Sequence, residues 1–218
     1  IRRKNYTDFL KAFFVQNGDN YFYSWFWVNS IDVMVLATQH LLKERHKMPD
    51  FKQETGHDGV VVSAVPLCHG IAALTGLSFV CPEGATGEKD TNYENKLAAA
   101  LKILEDHDFA AVHVEAPDEC THNGDLEGKL EAIGWLDTRL IRPLDAAMRE
   151  RGWDYRLLFL SDHKTLTSTR GHDGDPVPYM LYDSRVDTKA GLPYTEKSGE
   201  KGPYVNSGVA LMSILFEK

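Results

Sequence analysis

From Val60 onward, short β-branched and apolar runs alternate with longer stretches of helical period, and no other feature constrains the fold as much. Val60, Val61, Val62 and Val65 suit a buried strand. A short helix is expected over about 67–74, ending near Gly76, then a second short strand over 77–80. Pro82, Gly84 and Gly87 mark a loop. Thr91, three residues before Glu94, reads as the capping box of a helix over 92–105, with Leu97, Leu101 and Leu104 on one stripe. A third strand is expected over 109–114. A long helix follows over 126–151, with Leu126, Leu130, Ile133, Leu140, Leu144 and Met148 near one face. Pro143 should kink or break it near Ile141. Strands over 155–160 and 177–182 and a closing helix over 209–216 complete the pattern. Strands alternating with helices imply parallel βαβ units. The expected fold class is therefore α/β, a three-layer α/β/α sandwich, in which ligands bind outside the carboxyl ends of the strands.

Residues 1–58 read differently, being rich in aromatic and basic side chains. A helix is expected over 31–44, stopping before Pro49, and the polar stretch 52–59, with two glycines, reads as a linker or loop. The aromatic run 21–28 is far shorter than a membrane span and suits a buried element. No secretory signal is visible, and a start at Ile1 without Met suggests a processed or trimmed product. The net charge of −8 speaks against a nucleic-acid partner, which needs a basic face. It leaves room for a phosphorylated small-molecule substrate held through cations. Cys68, Cys81 and Cys120 are odd in number and form no CxxC pair. A reducing, cytoplasmic setting without a disulfide framework fits them best, with Cys120 as filler that no spacing recruits as ligand or nucleophile.

Two expected strands run into residues of metal-binding type. The strand over 109–114 leads to Asp118 and His122, and the strand over 155–160 leads to Asp162 and His163. If both strands are parallel members of one sheet, the four side chains emerge at the same edge, and His172 on the following long loop can fold back onto them. Mixed carboxylate and imidazole ligands suit manganese, zinc, iron or cobalt better than calcium. Five candidates exceed what one tetrahedral ion needs, so two ions are expected, an arrangement common in phosphoryl chemistry. A lone Asp-x-x-x-His is a weak signal that a helix face produces as well; the joint placement after two strands carries the metal reading. His113 and Glu115 are assigned structural roles. His40, His46, His57 and His107 go to surface or packing, and Asp173 and Asp175 to a turn before Pro176. No nucleophile stands out. Ser63 lies in a strand with no base expected nearby, no Gly-x-Ser-x-Gly elbow is present, and Thr165 to Thr169 look like loop composition. Gly84-Ala85-Thr86-Gly87 is too short for a phosphate-binding loop.

Taken together, the motifs resemble a known family. Pro82-Glu83-Gly84-Ala85-Thr86-Gly87 with Asp90-Thr91-Asn92-Tyr93, and His113-Val114-Glu115-Ala116-Pro117-Asp118-Glu119 with His122, Gly124 and Asp125, resemble the cofactor-independent phosphoglycerate mutases of the archaeal type. Ser161-Asp162-His163, Gly171-His172, Asp175-Pro176-Val177-Pro178 and Leu211-Met212 follow in the expected order. That family belongs to the alkaline-phosphatase superfamily. The resemblance implies a partial alkaline-phosphatase-like sandwich, with 59–218 as the carboxyl-terminal half of the metal-binding catalytic domain. Residues 1–58 would belong to the inserted substrate-binding domain. It also implies interconversion of 3-phosphoglycerate and 2-phosphoglycerate through a phosphoserine enzyme and two divalent ions, manganese first, with zinc, magnesium or cobalt as alternatives. Asp118, His122 and His172 would serve one ion, and Asp162 and His163 the other. The second ion would also need an aspartate and the nucleophilic serine of an amino-terminal segment not found here, so this chain alone is expected to be inactive. His69 stands where the family often has a lysine, and would hold phosphate only when protonated. Lys164 and Leu166 replace the usual Ser and Pro. Two alternatives stay open: another superfamily phosphatase or phosphomutase, and a non-catalytic metal-binding remnant.

Overall fold

The computed structural model describes residues 48–186 and 191–217, and the backbone of a short hairpin, β1 (Val15–Asn17) and β2 (Asn20–Phe22). The expected helix over 31–44, most of the aromatic run 21–28, and His40 and His46 lie outside the described residues. Where a loop was expected at 52–59, the chain forms helix α1 (Phe51–Thr55). The Asp50 carboxylate accepts the Gln53 N–H at 2.9 Å, and Gly56 ends the turn at φ +79. Local capping therefore makes one turn of helix without an apolar period.

The centre of the fold is a parallel three-stranded sheet in the order β4–β3–β5, formed by β3 (Gly59–Val62), β4 (Ser78–Val80) and β5 (Phe109–Val112). Helix α2 (Pro66–Thr75) joins β3 to β4 and stops at Gly76, as expected. Helix α3 (Tyr93–Ile103) joins β4 to β5. Its cap is Asn92, whose side chain accepts the Asn95 N–H at 2.8 Å, whereas the Thr91 hydroxyl accepts from the Thr86 N–H. The capping box was thus placed one residue early, because Thr91 ties back the preceding loop.

The long helix is three pieces: α5 (Leu126–Trp135), a π-helical turn (Leu136–Ile141) and α6 (Arg142–Glu150). Pro143 has no N–H and would crowd the carbonyl four residues back; the wider turn, in which the Arg142 N–H reaches the Asp137 carbonyl, makes that room. The break falls where the sequence placed it. The buried face of α5 is Gly128 and Ala132, while Leu126, Leu130 and Ile133 are exposed, Leu130 by 62%. The apolar stripe was therefore core only from Leu140 onward.

Alternate residues of β3 and β5 explain the layers. Val60, Val62, Ala110 and Val112 pack against Ile103, Ala100, Leu144 and Met148 of α3 and α6. On the other face, Phe109 stacks on Phe51 of α1 at 5.2 Å and meets Phe216 of α8 (Gly208–Phe216), the helix that follows the short α7 (Glu196–Gly199), at 5.6 Å. Helices thus cover both faces of the sheet.

The remaining strands correct the all-parallel expectation. β6 (Arg156–Leu160) and β9 (Tyr179–Asp183) pair antiparallel, Leu158 opposite Leu181. Between them lies a second hairpin, β7 (Lys164–Leu166) and β8 (Gly171–Asp173), where a long loop was expected. With no crossover helix between β6 and β9, the chain returns antiparallel. Leu157 still packs with Leu144 and Met148, so β6 lies under the same helices as β5.

Candidate metal centre

β5 leads through a short bend into helix α4 (Ala116–His122), opened by Pro117. Asp118 and His122 fall one turn apart on one face, with Asp118 Oδ2 and His122 Nε2 3.2 Å apart. The helix-face origin of this pair and its place in a cluster are both true. The β7–β8 hairpin brings in the rest. Its register sets Thr165 opposite His172. His172 Nε2 lies 3.3 Å from Asp118 Oδ1 and 3.0 Å from His122 Nε2. The His163 ring lies 3.7 Å from that of His172, and Asp162 Oδ2 is 3.3 Å from His163 Nε2. Asp118, His122, Asp162, His163 and His172 therefore gather in one place at the carboxyl ends of β5 and β6, with Asp162 on the rim.

Hydrogen bonds orient the cluster. His122 Nδ1 donates to the Arg170 carbonyl at 2.7 Å, so Nε2 is the ring nitrogen turned toward Asp118 and His172. The Thr165 hydroxyl donates to Asp118 and lies 3.3 Å from His163 Nδ1. Burial, with His163 and His122 beside it, lowers the pKa of His172 and favours the neutral imidazole that metals need. Nδ1 of His172 is buried and, among the described residues, has no hydrogen-bond partner. Asp118, His122 and His172 each present a ligand atom within 4.8 Å of the others. Two imidazoles and a carboxylate gathered this closely fit a divalent cation.

The sequence profile described as "Metalloenzyme superfamily" matches residues 32–216. The chain belongs to the metalloenzyme superfamily. It is 42% identical over 174 residues to a probable 2,3-bisphosphoglycerate-independent phosphoglycerate mutase of Geobacter sulfurreducens, covering 79% of this chain and 43% of that protein. It is 37% identical over 157 residues to the 2,3-bisphosphoglycerate-independent phosphoglycerate mutase of Methanosarcina barkeri, covering 72% and 39%. A solved protein of Pyrococcus horikoshii superposes with a TM-score of 0.65 at 27% identity, over 77% of this chain and 51% of that one. The chain thus spans about two fifths of the length of the curated relatives it matches. The metalloenzyme-superfamily fold here is the partial, alkaline-phosphatase-like α/β/α sandwich expected from the sequence.

Other candidate residues of this metalloenzyme-superfamily chain have partners of their own. Glu115, assigned to structure, forms a second group of ligand-type atoms with Asp118 and Glu119. Burial, with the carboxylates of Glu119, Asp118 and Asp162 nearby, pushes its pKa up to about 7. Its signal in the sequence was Glu-x-x-Asp-Glu at a helix start. Ser63 does have a base nearby, His113 Nδ1 at 3.1 Å. Ser63 is nevertheless fully buried and its oxygen accepts the Val65 N–H, so it is not placed to meet a substrate. Lys96 is also buried, and its ammonium donates to the carbonyls of His113 at 3.0 Å and Thr86 at 3.4 Å, tying the 82–92 loop to the end of β5. His69 stacks on Phe79 at 4.5 Å. His57 and His107, assigned to surface or packing, pair with Asp108 and Asp58 where β3 and β5 begin. Asp173 forms the expected turn, accepting the Asp175 N–H at 2.8 Å.

Proposed function

We propose that the chain is the carboxyl-terminal half of the catalytic domain of a cofactor-independent phosphoglycerate mutase, with 59–218 forming that half and 1–58 part of the inserted substrate-binding domain. The enzyme interconverts 3-phosphoglycerate and 2-phosphoglycerate. The observation that carries this reading is the convergence of Asp118, His122 and His172, with Asp162 and His163 beside them, in a chain whose relatives bear the mutase name. Asp118, His122 and His172 would hold one ion and Asp162 and His163 a second, with manganese favoured. Bound divalent ions supply charge neutralisation on a phosphoryl group in transfer and activate an attacking oxygen. Thr165 orients Asp118, and the Arg170 carbonyl fixes the tautomer of His122. His69, when protonated, adds a cation for phosphate.

The phosphoryl carrier is a serine in the part of the relatives that this chain does not span. Ser63, sealed in the core, supports that placement. The cytoplasm is the proposed compartment; among the described residues no helix is long and apolar enough to cross a membrane. The test is turnover of 3-phosphoglycerate with manganese, read by a coupled enzyme. The full-length protein should be active and this chain alone inactive. Turnover by this chain alone, unaffected by any serine substitution, contradicts the phosphoserine mechanism.

A further inference from the structure

We propose that Arg170 builds an oxyanion site beside the metal centre, taking the phosphoryl or carboxylate group of a small-molecule ligand. The inference deepens the mutase proposal and rests on it for the ligand's identity, but not for the presence of an anion site. Arg170 is the one non-glycine residue in the left-handed region among the described residues, at φ +54. That conformation is unfavourable for a residue with a β-carbon, and Gly171 stands next to it. The backbone there is fixed to the cluster, because the Arg170 carbonyl accepts from His122 Nδ1 at 2.7 Å.

The side chain has been given space. Its guanidinium lies over Gly124, where a β-carbon would come within 2.5 Å of Cζ. The other described arginines are occupied. Arg139, Arg142, Arg149, Arg156 and Arg185 each pair with a carboxylate, and Arg151 donates to the Ala147 carbonyl. The Arg170 guanidinium makes no ion pair or hydrogen bond among the described residues. It lines a recess of about 280 Å³ together with Thr121, Gly124, Leu126, Thr167 and Ser168, three of them hydroxyl residues and none a carboxylate. A planar cation with five N–H donors, in a recess lined by hydroxyl residues, matches an oxyanion that needs several donors at once. Arg170 also lines the larger groove that holds His122, His163 and His172, so the recess and the metal centre share this residue.

The test uses the full-length protein stripped of metal, titrated calorimetrically with inorganic phosphate and, separately, with glycerate. Arg170→Gly removes the cation and relieves the backbone; Arg170→Lys keeps a point charge without the fork. Wild type should bind one of the two anions, phosphate if the site takes the phosphoryl group and glycerate if it takes the carboxylate. Arg170→Gly should bind it about tenfold or more weakly, with a melting temperature equal to or above wild type. Arg170→Lys should fall between them. Wild type that binds neither anion, or Arg170→Gly that binds as wild type does, overturns the proposal. So does a fall in melting temperature with binding retained, which would make Arg170 structural. Turnover of 3-phosphoglycerate, assayed on the same wild-type protein with manganese restored, reports separately on the mutase reading.

Discussion

At the scale of single residues, Asp118 connects most of the site. Its carboxylate accepts the Thr165 hydroxyl and faces both His122 and His172. Thr165→Val removes that orienting donor and should weaken manganese binding about 10–100-fold, measured by calorimetry on the full-length protein, with little change in melting temperature. His122→Ala should abolish most activity at small cost in stability, because its ring faces the cluster rather than the core. Met148→Ala should do the reverse, losing about 2–5 kcal/mol in denaturant unfolding, since Met148 is buried against Ala100 and Leu144. Leu130→Ala, at an exposed position, should stay within about 0.5 kcal/mol of wild type. The five clustered side chains were legible because each follows an apolar run or closes a polar loop. Thr165 and Arg170 were not legible. Their roles depend on hairpin register and a left-handed turn, and neither leaves a trace in residue type.

At the scale of elements, Arg156 joins β6, β9 and α8. Its guanidinium pairs with Asp183 at 2.8 Å and donates to the carbonyls of Ile214 and Leu215 at the end of α8. Arg185 and Arg156 hold the Asp183 carboxyl well below the usual carboxylate range. A depressed native pKa gives stability that is present above the unfolded value, about 3.9, and is lost as pH falls through the native value. Asp183→Asn should therefore melt below wild type at pH 7, and the gap should close as the pH is lowered below about 4. A gap that stays constant with pH would mean the pair contributes through shape rather than charge. The break before Pro143 was legible because proline acts locally. The antiparallel return of β9 was not, because strand direction depends on whether a helix crosses over, and the 161–178 stretch could be read as loop or hairpin alike.

At the scale of the molecule, the three layers follow from alternation along β3 and β5, with Val60 and Val62 facing α3 and Phe109 facing α1 and α8. That much was present in the spacing of strands and helices. The division of the strands into separate ladders was not, nor was the β7–β8 hairpin that carries Thr165 and His172 and follows directly on His163. The fold and the candidate centre are thus linked: the hairpin that breaks the parallel pattern closes the cluster around Asp118. The most direct test is a crystal of the protein soaked in manganese, with anomalous scattering recorded on both sides of the manganese absorption edge. A manganese peak should appear bonded to Asp118, His122 and His172 and be absent in Asp118→Ala. A peak elsewhere, or one that survives Asp118→Ala unchanged, would contradict this assignment.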